Sequence, residues 1–195
     1  MGLTRESIVK AAFAVLAKEG LEGLNLRLVA TRLGVQAPAL YWHVHNKAEL
    51  FGLMAASIMG VAERAEAREP GWSAKLLVYG QTLRKSMLKH RDSARLCALA
   101  EPIDAPEVTA RRLSEPLVAG GLDAKRAVSC QAAVIAYTLG WVVYEQNTAM
   151  HDYLAQMFDF EESFEAGLRA MLAGFAGSTT PPSSGMLRRK RPQQG

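Results

Sequence analysis

The stretch that most constrains this 195-residue chain is Asn25 to Leu50, NLRLVATRLGVQAPALYWHVHNKAEL. Asn25 caps well, and the apolar spacing behind it predicts a short helix from Leu26 to Leu33. Gly34 ends that helix, because glycine enters the left-handed region at least cost. A second helix is predicted from Ala37 to His43, with Pro38 tolerated in its first turn. Val29, Leu33, Val35, Leu40 and Val44 supply an apolar interior for the pair. Ala30, small and one turn before Gly34, lets the two helices approach closely. Two short helices around a tight glycine turn make a helix-turn-helix. Left over on the second helix are Gln36, Ala39, Tyr41, Trp42 and His43, an aromatic and hydrogen-bonding face that a core would not select. Such a face suits a DNA major groove.

The flanks extend this unit. Thr4 caps a predicted helix to about Glu19, with Ile8, Ala11, Ala12, Val15 and Leu16 on one face and Gly20 as its stop. This helix braces the pair into a three-helix head. Asn46 caps a long helix from Lys47 to about Arg68, with Leu50, Leu53, Met54, Ile58 and Val61 as its buried stripe. Arg27 in the first turn of one helix and Lys47 at the start of another stand where helix amino ends attract phosphate. Residues 1–47 carry six Lys/Arg against three Asp/Glu, while residues 48–176 carry thirteen against sixteen. A basic front on a slightly acidic body suits a polyanion-binding head.

Beyond Glu69-Pro70-Gly71 the pattern remains helical, with no convincing strand. Helices are predicted over 72–90, 92–97, 106–118, 123–147 and 160–175, with a short loop around His151. The 123–147 helix is apolar round much of its circumference and should be buried on more than one side. Val134, Ile135, Thr138 and Gly140 would let a second helix pack closely. From Gly177 the chain is rich in Gly, Ser, Pro and Gln, then basic at Arg188, Arg189, Lys190 and Arg191, and should be mobile.

Several functions are disfavoured. No apolar run reaches the ~18 residues of a membrane span, and MGLTRESIVK lacks the apolar core of a signal peptide. Cys97 and Cys130 give neither a disulfide framework nor metal-ligand spacing, so a cytoplasmic setting without metal or cofactor is expected. An enzyme would have to draw on His90, Arg91, Asp92, Cys97, Glu101 and His151. Without a glycine-rich phosphate loop or a serine elbow, catalysis is not expected. A non-specific DNA binder using the basic tail is one alternative, and an activator is another.

TRLGVQAPALYWHVHNKAEL resembles the DNA-binding signature of the tetracycline-repressor (TetR) family, and its Leu-Tyr-Trp-His-Val core followed by Asn-Lys resembles the tetracycline-repressor branch. The similarity continues through Trp72, His90-Arg91-Asp92 and Tyr137-Thr138-Leu139-Gly140. The resemblance implies an all-α homodimer. Its expected parts are a helix-turn-helix DNA-binding domain over 1–46, a connecting helix over 47–68, a ligand-binding and dimerisation domain over 72–176 and a flexible tail over 177–195. The helices over 124–147 and 160–175 would form the dimer interface. Arg27, Pro38, Tyr41, Trp42, His43 and Lys47 match family positions that touch operator DNA. Ala37 and Ala39 stand where the tetracycline repressors hold polar, base-reading side chains, so a different operator is implied; Gln36 could still contact adenine. Cys97 occupies the place of a magnesium-binding histidine, Ala100 and Glu101 replace a threonine and an arginine, and Tyr144 replaces an acidic residue of the partner. Cysteine is a poor ligand for a hard cation, so magnesium-tetracycline is not expected. A pocket lined by Tyr79, Leu83, Met87, Cys97, Leu113, Val128, Gln131 and Trp141 would favour a small apolar or aromatic inducer. Together these features imply a ligand-responsive repressor that binds operator DNA and involves no membrane.

Overall fold

The computed structural model describes residues 3–177, and the tail expected to be mobile lies outside them from Ser178 on. Among the described residues there are ten helices and no strand. α1 (Arg5–Gly23) opens with a capping box in which the Thr4 hydroxyl accepts from the Ser7 amide and Ser7 reciprocates. The expected stop at Gly20 is a kink. Gly20 takes φ 72°, and one more helical turn follows to Gly23. A side chain would be strained at that φ.

α2 (Leu26–Leu33) is capped by Asn25, whose side-chain Oδ1 accepts from the Leu28 amide at 3.0 Å. Gly34 takes the left-handed conformation at its end. α3 is shorter than the spacing predicts, running Ala37–Tyr41. Val44 must reach the core, where it is fully buried, and its amide folds back onto the Leu40 carbonyl at 3.0 Å. The chain therefore leaves the helix before Trp42 and His43. α4 (Lys47–Glu66) starts at the Asn46 cap and ends two residues before the expected Arg68. One core joins α1 to α3 with the first half of α4, and Leu96 from the body inserts into it.

The body contains α5 (Trp72–Leu88), α6 (Ser93–Ala98), α7 (Pro106–Ala119), α8 (Ala124–Gln146), α9 (Thr148–Leu154) and α10 (Phe160–Gly177). α9 replaces the expected loop around His151. The Asn147 side chain breaks away from α8 and accepts from the Met150 amide, starting a new helix. A second core gathers Leu76, Tyr79, Leu83 and Met87 of α5 with α4, α7, α8 and α10. Arg84, 4% exposed, clamps three helices: it binds Glu145 of α8 bidentately at 2.7 and 2.6 Å and Glu161 of α10 at 2.5 Å.

The expectation that no segment is apolar enough to span a membrane needs correction. α8 meets that test by length and composition. Its inward face, with Ala127, Cys130, Gln131, Val134, Thr138 and Val142, packs into the second core. At Val134 the close helix packing expected there is made within the chain: a side chain at Gly80 of α5 would lie 3.2 Å from Val134 and 2.8 Å from Leu168 of α10. Ala132, Ala136, Gly140, Val143 and Tyr144 remain exposed on the other side.

Candidate nucleic-acid interface and ligand site

The turn of the helix-turn-helix brings separated residues to one place. Asn25, Leu26, Arg27, Tyr41 and Lys47 line a single shallow concavity of about 370 Å³. Three of the expected DNA contacts, Arg27, Tyr41 and Lys47, therefore share one surface. Asn25, read from the sequence only as a cap, lines it too. Trp42 projects beside it, 87% exposed, an arrangement that costs free energy in water unless something covers the ring. Pro38 and Ala39 are exposed, whereas Ala37 and His43 are half-buried. Ala37 packs against the head core, which leaves Ala39 as the alanine open to a partner. Gln36 is exposed and its side chain makes no cap bond, so it is available to a ligand.

Lys47 has a second role that its position in the sequence does not reveal. Its Nζ donates to the Leu21 carbonyl at 3.2 Å and lies 5.4 Å from the centre of the Phe51 ring. The Leu21 amide, on the other side of that residue, donates to the Asp92 carboxylate at 3.1 Å. Asp92 begins α6 in a left-handed conformation with φ 56°. The kinked turn of α1 is thus held between Lys47 at the start of α4 and Asp92 of the body. Arg95–Glu22 at 2.8 Å and the stacked Phe13 and His90 rings, 3.9 Å apart, reinforce the same junction. His45, another residue the sequence did not single out, binds Glu49 through its backbone amide and its ring. That amide, with the ring, holds the Glu49 carboxyl below the usual range.

The expected ligand-lining residues divide. Tyr79, Leu83, Met87 and Gln131 are buried in the body. Leu113 and Val128 are half-buried on α7 and α8. Trp141 belongs to an aromatic cluster with Tyr137, Phe158, Phe160 and Phe164 at the α8–α10 junction. Cys97 lines a separate cavity of about 200 Å³ between α4, α6 and α7, with Met59 and Arg112. Burial pushes its thiol up to about 11, so it is neither an activated nucleophile nor a thiolate ligand at neutral pH. His90 and His151 are stacked on Phe13 and Phe160. Among the described residues no three His, Cys, Asp or Glu converge on a metal position. Glu145, adjacent to the position of the family's partner-donated acid, is locked to Arg84. This donor set does not fit the magnesium-bound drug of the tetracycline repressors.

The comparisons with known proteins agree with this geometry. Residues 8–54 match the family described as bacterial regulatory proteins, tetR family, and residues 66–158 match the tetracyclin repressor-like C-terminal domain. The class A tetracycline repressor of transposon 1721 from Escherichia coli is 33% identical over 147 residues, covering 74% of this chain and 68% of that protein. The class E repressor from Escherichia coli is 29% identical over 192 residues, covering 89% and 91%. A TetR variant from Acinetobacter baumannii AYE, solved with minocycline, superimposes with a TM-score of 0.74 at 30% identity, covering 90% of this chain and 97% of that one. The chain belongs to the tetR family of bacterial regulatory proteins, and it is a ligand-responsive, DNA-binding transcriptional regulator rather than an enzyme.

Proposed function

We propose that the chain is a homodimeric repressor whose 1–46 head reads operator DNA and whose 72–176 body binds the small molecule that releases it. The concavity shared by Arg27, Tyr41 and Lys47, with exposed Trp42 beside it, is the observation that carries the head assignment. Arg27 and Lys47 neutralise phosphates, Tyr41, Trp42 and His43 seat the helix, and Gln36, Pro38 and Ala39 approach base edges. Ala39 offers only a methyl contact and Ala37 is partly withdrawn, so specificity rests on few donors.

Dimerisation through α8 and α10 is supported by their exposed small side chains: Ala132, Ala136 and Gly140 on one, Ala166, Ala170 and Gly174 on the other. Small residues let helix axes approach closely, and a two-fold dimer places two heads on successive major grooves, ~34–36 Å apart. α4 (Lys47–Glu66) and the Leu21–Asp92 contact carry body movement to that separation. The inducer acts by preferring one of the two arrangements. Because α8 uses its inward face within the protein, a membrane is not a partner in this reading, and the protein works where its DNA is, in the cytoplasm.

The test is operator binding by the full chain to DNA selected from a random pool. Affinity should fall steeply with salt. Tyr41→Ala should weaken binding with the melting temperature unchanged. Ala136→Glu should convert the dimer to monomer in analytical ultracentrifugation and abolish tight binding. Parental binding by both variants would sink the assignment.

A further inference from the structure

The body hides a group of polar atoms that the fold itself leaves unpaired. Glu66 of α4 is 2% exposed, and Tyr79 of α5 and Gln131 of α8 are fully buried. Glu66 Oε2, the Tyr79 hydroxyl and both polar atoms of the Gln131 amide have no hydrogen-bond partner among the described residues. The Gln131 amide lies beside the Tyr79 hydroxyl and acts on its ionisation, yet the two complete no hydrogen bond. Buried polar groups are nearly always paired, so several orphans on three packed helices require a reason. A purely structural core would gain by replacing them with apolar side chains.

Their surroundings specify what would pair with them. Arg112 of α7 binds Glu63 at 2.7 Å and approaches Asp104 at 3.7 Å. Lys75 of α5 spends its Nζ on the Glu66 backbone carbonyl at 3.2 Å. Arg112 is thus taken by Glu63 and Asp104 and Lys75 by a backbone carbonyl, and Glu66 Oε2 is left without a hydrogen-bond partner among the described residues. Glu66 Oε2, the Tyr79 oxygen and Gln131 Oε1 offer three acceptors, which matches the three donors of a primary ammonium. Leu83 and Met87, one and two helical turns beyond Tyr79 on α5, supply an apolar wall. The 200 Å³ cavity beside Met59 and Cys97 is bounded by Arg112, the residue that holds Glu63.

We propose that Glu66, Tyr79 and Gln131 are the polar end of the inducer site, and that they take the protonated nitrogen of a small, otherwise apolar amine or amidine. This rests on the reading of the body as the ligand-binding part. It also refines the sequence-based expectation of a purely apolar or aromatic inducer. Burial raises the Glu66 carboxyl to about 7, with Lys75 opposing and Glu63 adding to the rise. An arriving cation favours the carboxylate, so its affinity increases from pH 6 to pH 8.

The experiment uses the full chain and three compounds with one apolar body: phenylbutylamine, phenylbutanol and phenylbutyrate. Melting temperature is followed with each, in the parent, in Glu66→Gln and in Gln131→Leu. The amine should stabilise the parent most. Glu66→Gln should weaken the amine by about tenfold or more, as expected for loss of a charge-assisted hydrogen bond, and weaken the alcohol by far less. Gln131→Leu should melt at or above the parent's temperature without ligand and lose the preference for amine. The proposal is overturned if phenylbutanol or phenylbutyrate stabilises the parent as well as the amine does. It is equally overturned if the amine has no effect, or if its effect survives Glu66→Gln. Operator binding by the same preparations separates the two readings. Loss of specific binding by the unliganded parent defeats the repressor assignment, whereas intact binding without amine preference defeats only the ligand chemistry.

Discussion

The head and the body solve opposite problems with similar helices. In the head the chemistry is outside: Arg27, Tyr41, Trp42 and Lys47 stand exposed over an apolar core of Val29, Leu40 and Val44. In the body the chemistry is inside: Glu66, Tyr79 and Gln131 are buried without partners, while Ala136, Gly140 and Ala170 occupy the surface. A DNA surface is large and charged, so it is met by an exposed face. A small molecule must be surrounded, so the site we propose for it lies within the core, at some cost in stability. The Leu21 peptide, held by Lys47 on one side and Asp92 on the other, is where the two strategies meet.

The largest effect that would break this contrast lies in the body. Arg84→Ala leaves Glu145, 8% exposed, uncompensated in the core. Stability should fall by about 3–5 kcal/mol. The melting temperature of a domain this size should drop by roughly 10 °C in calorimetry. Parental melting would mean that the clamp between α5, α8 and α10 contributes nothing.

Next comes the pH dependence of the orphaned carboxyl. Its folded value of about 7 lies above the ordinary 4.5, so the native state keeps a proton that the unfolded chain has lost. Glu66 therefore favours folding least at high pH: its contribution declines as pH rises from about 4.5 to 7, then levels off, by about 3 kcal/mol in all. Glu66→Gln should remove this decline. His90, lowered by burial, pulls the other way as pH rises, so the difference between parent and variant is the quantity to follow. Identical pH profiles would place Glu66 in contact with water or a cation.

On the head the effects are smaller and of a different kind. Arg27→Ala should weaken operator binding across all sequences and reduce the salt slope by about one, whereas Gln36→Ala should change sequence preference and leave that slope alone. Fluorescence anisotropy at several salt concentrations distinguishes them. A sequence-selective loss from Arg27→Ala would reverse the two roles. The smallest effect is at the junction. Asp92→Asn keeps an acceptor for the Leu21 amide but loses its charge, a change of about 1 kcal/mol. Hydrogen exchange at Leu21 should quicken several-fold. Unchanged exchange would leave α4 as the connection between head and body.

These contrasts also explain what could be read from the chain before its structure. The head is local: Thr4, Asn25 and Asn46 caps, Gly34 in its left-handed turn and apolar spacing decide its helices within a few residues. The helix ends that local signals misplace, α1 continuing past Gly20 and α3 stopping before Trp42, are those where distant packing intervenes. Gly20 bends the chain so that Leu21 meets Asp92, and Val44 pulls the backbone out of α3 to fill the core. α9 went unread because its Asn147 cap lies inside what looks like one long helix.

The sequence by itself determined most of the helices and the Gly34 turn between α2 and α3, because caps, glycine turns and apolar periodicity act over one or two helical turns. Tertiary structure alone decided that Lys47 ties the α1 kink, that Glu145 is claimed by Arg84, and that Trp141 joins an aromatic cluster with Phe158, Phe160 and Phe164. It also decided that Glu66 Oε2, the Tyr79 hydroxyl and the Gln131 amide are buried without hydrogen-bond partners among the described residues. Hydrogen-bond satisfaction is a property of all the helices that surround an atom, and residues separated by as many as 65 positions carry no mark in the sequence that they will share one interior.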